Sequence, residues 1–161
     1  MKDITHIQYL KDSEFKRVLV LPLDHSDYSK YTVDWCKEKM LLKTDKIILV
    51  NIRSVSDKTP YMLPYVQLTG YDHDLDARMK ALHYQQQERL MESYCKELQD
   101  FNVEFYIGVG DKTDLVDFID GLNADLIIMG QRGESLVKLL WGSYSKYILD
   151  HCKAPVLIVK K

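Results

Sequence analysis

Ala124-Asp125-Leu126-Ile127-Ile128-Met129-Gly130-Gln131-Arg132-Gly133, followed eight residues later by Gly142-Ser143-Tyr144-Ser145, decides how this chain is read. The run ending at Met129 is short, apolar and bounded by glycine, the pattern of a buried strand. Two glycines follow it directly, and a third, with hydroxyls beside it, opens a helix through Tyr147, Ile148 and Leu149. Glycine lets backbone approach a ligand closely and take up positive φ. A helix start offers unpaired N–H groups and the positive end of a dipole to an anion. Serine hydroxyls add donors without bulk. The outline is a phosphate cradle. It is not the P-loop, because no Gly-Lys-Ser/Thr stands at the required spacing.

Working outward, the same alternation recurs along the chain. Lys16 to Asp24 reads as a buried strand, with Pro22 unable to donate to a ladder near its end. Ser26 or Asp27 can cap a helix carrying Tyr31, Val33, Trp35, Met40 and Leu41. Lys46 to Ile52 is a second strand. An irregular stretch from Arg53 to about Asp72, with Tyr61, Tyr65 and Tyr71, is placed to act as a lid. A polar helix then carries Leu75, Met79, Leu82, Leu90, Met91 and Leu98 at helical spacing. Asn102 to Ile107 is a third strand, and Asp111, three residues before Asp114, caps the helix after it. The fourth strand is the Ala124–Met129 run, and Pro155 to Lys160 is the fifth. Strands alternating with helices predict an α/β, Rossmann-like fold: an open five-stranded parallel sheet, order 3-2-1-4-5, with helices on both faces. Residues 1–15 fit none of this and read as a loosely docked extension to one domain over 16–161.

Composition narrows the function classes. With 46% apolar and 29% charged residues in 161, the chain reads as an ordinary globular domain. A formal net charge of −2 and the absence of a basic stripe argue against nucleic acid as partner. No run approaches the ~18 apolar residues of a membrane span. The opening residues lack a signal peptide's apolar stretch, so a cytoplasmic location is expected. Cys36, Cys95 and Cys152 are widely spaced and show neither a disulfide framework nor a zinc motif.

In open α/β sheets, ligands sit outside the carboxyl ends of the strands, where strand order reverses. That rule selects Leu23-Asp24-His25, Asn51-Ile52-Arg53, Gly108 to Asp111, and Met129 to Gly133. A carboxylate at Asp24 beside a phosphate cradle suits a ribose diol, and Ile52 offers an apolar rest for a base. Asp24 could instead cap the first helix, and Arg132 could grip a phosphate or simply be solvated. Gly108-Val109-Gly110-Asp111-Lys112-Thr113 fails as a P-loop, since Asp111 stands where glycine must precede lysine. The acids of Asp72-His73-Asp74-Leu75-Asp76 suit a helix dipole better than a metal. His25 beside Ser26 has no orienting acid and makes no hydrolase triad.

These residues resemble the universal stress protein family in its nucleotide-binding branch, over about Lys16 to Lys161. The resemblance is carried by the strand ending in Asp24, by Leu49-Val50-Asn51-Ile52, by Gly108-Val109-Gly110-Asp111, by the stretch from Ala124 to Gly130, and by Gly142-Ser143-Tyr144-Ser145 leading to Ala154-Pro155-Val156-Leu157-Ile158-Val159. It implies that ATP, ADP or AMP is bound, with magnesium accompanying the phosphates and no metal held by protein side chains. Gly130 and Gly133 would face ribose and phosphates, Gly142 and Ser143 the phosphates, and Asp24 and Ile52 the ribose and adenine. Leu23, Asn51, Gly108, Met129, Arg132, Tyr144 and Ser145 complete the expected contact set. A homodimer through the last strand, Val156 to Val159, is implied as well. The family's pattern has nine residues between its second and third glycines; here there are eight, Glu134 to Trp141. One residue less shifts an extended path by up to ~3.5 Å. The loop can absorb this, or the phosphate site can narrow toward a mono- or diphosphate. Three functions remain open: a non-catalytic stress-response regulator, a slow ATPase or autophosphorylating enzyme, and a dimeric interaction module with an empty site. The chain shows no Walker-type lysine and no evident catalytic base.

Overall fold

Continuous β-branched runs can bury both faces only at the centre of a sheet covered by helices on each side. The computed structural model describes residues 2–9, 14–53, 73–131 and 143–161. Its elements, in chain order, are β1 (Lys2–Tyr9), β2 (Arg17–Pro22), α1 (Asp27–Lys39), β3 (Asp45–Arg53), α2 (His73–Glu97), β4 (Asn102–Val109), α3 (Lys112–Gly121), β5 (Leu126–Gly130), α4 (Ser143–His151) and β6 (Val156–Val159). They form one sheet in the order β1-β4-β3-β2-β5-β6. The five strands from β2 onward are mutually parallel, and counted from β2 they run 3-2-1-4-5.

One expectation is corrected. The first residues are not a loose extension: Lys2–Tyr9 pairs antiparallel with β4, with His6 opposite Tyr106 and Gln8 opposite Glu104. The sequence reading missed it because the parallel five-stranded pattern was already complete without it. Antiparallel edge strands on parallel sheets are common.

Alternation along the strands divides the interior in two. Leu19, Leu21, Ile47, Leu49, Val103 and Phe105 face α1 and α2, meeting Val33, Cys36, Met91, Cys95 and Leu98. Val20, Ile48, Val50, Ile127 and Met129 face α3 and α4, meeting Leu115, Val116, Ile119 and Ile148. Each fully buried aliphatic chain contributes about 1.5–3 kcal/mol relative to exposure.

Polar ties hold the strands' amino ends. Arg17 Nε and Nη2 donate to Asp45 Oδ1 and Oδ2 at 2.8 and 2.6 Å, and the Leu42 N–H donates to Asp45 Oδ2 at 2.8 Å. Asp45 is 0% exposed, so its charge depends on these donors. Val18 N donates to Asp125 Oδ2 at 2.7 Å, which fixes the start of β5 against β2. With the amino ends closed in this way, the carboxyl ends are left for function.

Candidate functional site

The register brings the strand ends to one level. Pro22 pairs with Val50, Asn51 with Ile107, and Ile52 with Gly108. Continuing the Val20–Ile127 pairing by the same step sets Leu23 beside Gly130. Chain order reverses here: α1 and α2 cover one face of β2 and β3, while α3 and α4 return over the other. Leu23, Asp24, Ile52, Gly108, Met129 and Gly130 therefore lie at the carboxyl ends of their strands, along one rim of the sheet.

Their local roles differ. Leu23 and Met129 are buried at 5% and 3% exposure, so their side chains are core and only their backbone reaches the rim. Ile52 is half-buried against the α3–α4 core, and Gly108 is buried beside it. Asp24 closes the entry to α1: its Oδ1 accepts from Ser26 N at 2.9 Å, from Ser29 Oγ at 2.7 Å and from Ser26 Oγ. Ser26, not Asp27, is the N-cap, accepting from Ser29 N.

Asn51 departs most from its expected role. Its Nδ2 donates to the Leu23 carbonyl at 2.8 Å, and its Oδ1 accepts from Gln87 Nε2 at 2.9 Å. Both residues are buried, so the amide is committed to tying β2, β3 and α2 together. Strand alternation is the cause: Ile52 points to the α3–α4 face, and Asn51 must point to the other. Gln87 gave no signal in the sequence, because it is a polar residue set one turn before Leu90 and Met91, on the face that α2 turns to the core, where it only interrupts the apolar spacing.

Three helices start near this rim, and their electrostatics differ. The first turn of α1 contains Asp27 and follows Asp24. The N-terminus of α3 is closed by a reciprocal cap: Asp111 Oδ1 accepts from Thr113 N at 2.8 Å and Asp114 N at 3.0 Å, and Asp111 N donates to Asp114 Oδ2 at 2.9 Å. That bond from Asp111 N holds the Asp114 carboxyl below its ordinary pKa. Gly110 is required there, since a Cβ would lie 2.7 Å from Asp114 Cβ. By contrast, the first turn of α4 has no acidic residue. Its Ser143 and Tyr144 open the helix, Ser145 is half-buried, and Tyr147 meets Thr113 of α3 through their hydroxyls at 3.3 Å. Arg132, Gly133 and Gly142, like Tyr61, Tyr65 and Tyr71, lie outside the described residues.

Beside Asp24 opens a groove of about 520 Å³ lined by His25, Gln86, Arg89 and Leu90. Gln86 and Arg89 were not singled out from the sequence; Gln87, between them, anchors this turn of α2 to Asn51. Among the described residues no group of His, Cys, Asp and Glu is placed to hold a metal ion, and no helix is long and apolar enough to cross a membrane. Burial pushes the Cys36 and Cys95 thiols up to about 12, which suits packing rather than redox chemistry.

Residues 14–160 match the model of the Universal stress protein family. Among solved structures, the chain is similar to hypothetical protein MJ0577, at 24% identity with a TM-score of 0.70 over 90% of this chain and 96% of that one. It is also similar to universal stress protein UspA from Lactobacillus plantarum, at 20% identity and a TM-score of 0.59, covering 92% of this chain and 99% of that one. A universal stress protein in complex with cAMP is 22% identical, with a TM-score of 0.55 over 89% of this chain and 95% of that one. A curated relative, the uncharacterized protein C167.05 of Schizosaccharomyces pombe, is 24% identical over 148 residues. That alignment takes in 88% of this chain and only 23% of the relative, so the chain spans about a quarter of the length of the curated relative it matches.

Proposed function

The chain belongs to the universal stress protein family, and from that premise we propose that it is an adenine-nucleotide-binding regulator acting as a homodimer. The observation that carries this reading is the contrast among the helix starts. The entries to α1 and α3 are ringed by Asp24, Asp27, Asp111 and Asp114, while the first turn of α4 has no acid. An anion at this rim is repelled from two helix starts and attracted to the third. The glycine-rich stretch through Gly130, Gly133 and Gly142 leads into α4, so the phosphates of ATP, ADP or AMP lie against Ser143, Tyr144 and Ser145, with Arg132 beside them. Asp24 then takes the ribose, and Ile52, Gly108 and the Met129 backbone take the base. Magnesium, where needed, rides on the phosphates. A relative's complex with cAMP supports an adenine nucleotide as the ligand class.

The last strand supports the dimer. Val156, Leu157 and Ile158 of β6 are only half-buried at the sheet's edge, and an uncovered apolar edge is a liability. The test is mass spectrometry of small molecules released by denaturing the freshly purified protein, followed by titration of the stripped protein with ATP, ADP and AMP. About one adenine nucleotide per chain is expected. A protein that is empty and ignores added nucleotide would leave the reading without its ligand, and the interaction module would replace it.

A further inference from the structure

Glu104, in the middle of β4, is 1% exposed, and four donors from three strands surround its carboxylate. Lys46 Nζ of β3 lies 2.9 Å from Oε1, and the Tyr106 hydroxyl donates to the same oxygen at 3.3 Å. The other oxygen, Oε2, accepts from His6 Nε2 at 3.1 Å and Gln8 Nε2 at 3.3 Å. Both of these donors belong to β1, where alternation sets residues 6 and 8 on one face. The His6 ring also stacks on Tyr106, with centroids 4.5 Å apart and planes 7° from parallel. Tyr106 in turn meets the edge of Phe118 of α3 at 5.1 Å.

The two oxygens thus depend on different parts of the chain. Oε1 is served by β3 and β4, inside the parallel core. Oε2 is served by an antiparallel strand at the sheet's edge, whose pairing carries a register irregularity between Lys2 and Thr5. With β1 gone, one oxygen of a buried carboxylate would lose its protein donors, a costly state unless water replaces them.

We propose that β1 is a latch: it docks on and leaves the β4 edge as a unit separate from the five-stranded parallel core, and Glu104 is the residue that holds it shut. The latch reaches the functional rim. Lys2 pairs with Val109, next to Gly108 and Gly110, so an open latch uncovers the outer edge of β4 along the segment that borders the crevice. A closed latch gives that end of β4 neighbours on both sides, Arg53 and Lys2. The inference does not depend on which ligand the crevice takes.

Hydrogen exchange of the full chain, read by mass spectrometry, tests it. The decisive variant is His6→Ala with Gln8→Ala, which alters only exposed side chains of the edge strand; Glu104→Gln is its partner from the core side. In the double variant, amides of β1 are expected to exchange roughly ten- to a hundredfold faster, the loss of charge-assisted hydrogen bonds, while Ile47 to Val50 of β3 keep their protection. Glu104→Gln is expected to speed β1 in the same direction. Unchanged exchange in β1 would overturn the proposal, because ladder bonds alone would then hold the strand. Loosening of β3 together with β1 would overturn it too, because Glu104 would then support the sheet as a whole.

Discussion

Thr32 of α1 lies so close to Gly130 of β5 that a Cβ on the glycine would stand 2.6 Å from Thr32 Oγ1. The same carbon would be 2.9 Å from the Tyr28 carbonyl oxygen, to which Thr32 Oγ1 already donates at 2.7 Å. The missing side chain at Gly130 is therefore explained by helix–sheet packing, before any ligand is considered. Gly130→Ala is expected to cost about 1–3 kcal/mol, as overpacking does, because a backbone oxygen cannot move aside. Urea denaturation measures it. Thr32→Ala in the Gly130→Ala background should restore only part of the loss, since the Tyr28 carbonyl remains.

Replacing Asn51 separates a structural role from a binding one. Asn51→Leu leaves the Leu23 carbonyl and Gln87 without their buried partner and is expected to destabilise by about 2–3 kcal/mol. Adding Gln87→Leu should recover part of that, because both ends of the bond are then apolar. At a temperature where the variants remain folded, nucleotide affinity should stay within about twofold of the parent, a change near 0.4 kcal/mol. Calorimetric titration beside the denaturation curve distinguishes the two effects, and a large affinity loss would return Asn51 to the ligand's contacts.

Gly142→Val addresses the cradle itself. A branched side chain at the approach to α4 obstructs the backbone contact that a phosphate needs, so adenine-nucleotide affinity should fall at least tenfold, about 1.4 kcal/mol. The thermal midpoint should change little. Affinity that survives this change would place the phosphates elsewhere.

Alkaline pH reports on the Glu104 cluster. Burial, joined by the charge of Glu104 and its hydrogen bond, pushes the Tyr106 hydroxyl up to about 12. The folded chain holds that proton more tightly than the unfolded one, whose tyrosines ionise near 10. The stability this contributes is complete below about pH 10 and is lost as pH rises toward about 12. Absorbance titration at 295 nm should show a late-ionising component, to which Tyr94 and Tyr84 also contribute because burial raises them too, and Tyr106→Phe should diminish it.

The sheet was legible because its evidence is local. Val18 to Leu21, Ile47 to Val50 and Leu126 to Met129 are apolar runs too short for helices, and helical segments separate them in sequence. Pairing partners in parallel ladders follow once that alternation is seen. Residues 2–9 were not legible, since their place depends on Glu104, almost a hundred positions away. The same distinction runs through the candidate site. Asp111 and Asp114 announce a cap by their spacing alone. Asp24 stood for a cap or, by preference, a ribose contact; the cap is Ser26, which Asp24 braces through its bonds to Ser26 and Ser29, and those bonds leave the ribose contact untouched. That Asn51 would be committed to Gln87 depended on which face α2 lies against, a fact set by packing and not by any run of letters.

The β2–β3 ladder carries a polar bond at each end: Arg17 meets its register partner Asp45 at the start, and Asn51 holds the Leu23 carbonyl at the finish. A parallel ladder that slips must move by two residues to keep its apolar face inward. Such a slip sets Arg17 opposite Ile47 or Lys43 and takes Asn51 away from Leu23. Misalignment of this first β-α-β unit is thus penalised at both ends by contacts the unit contains within itself. Residues 17–53 can proofread their own alignment before β5 arrives to close the other side of β2.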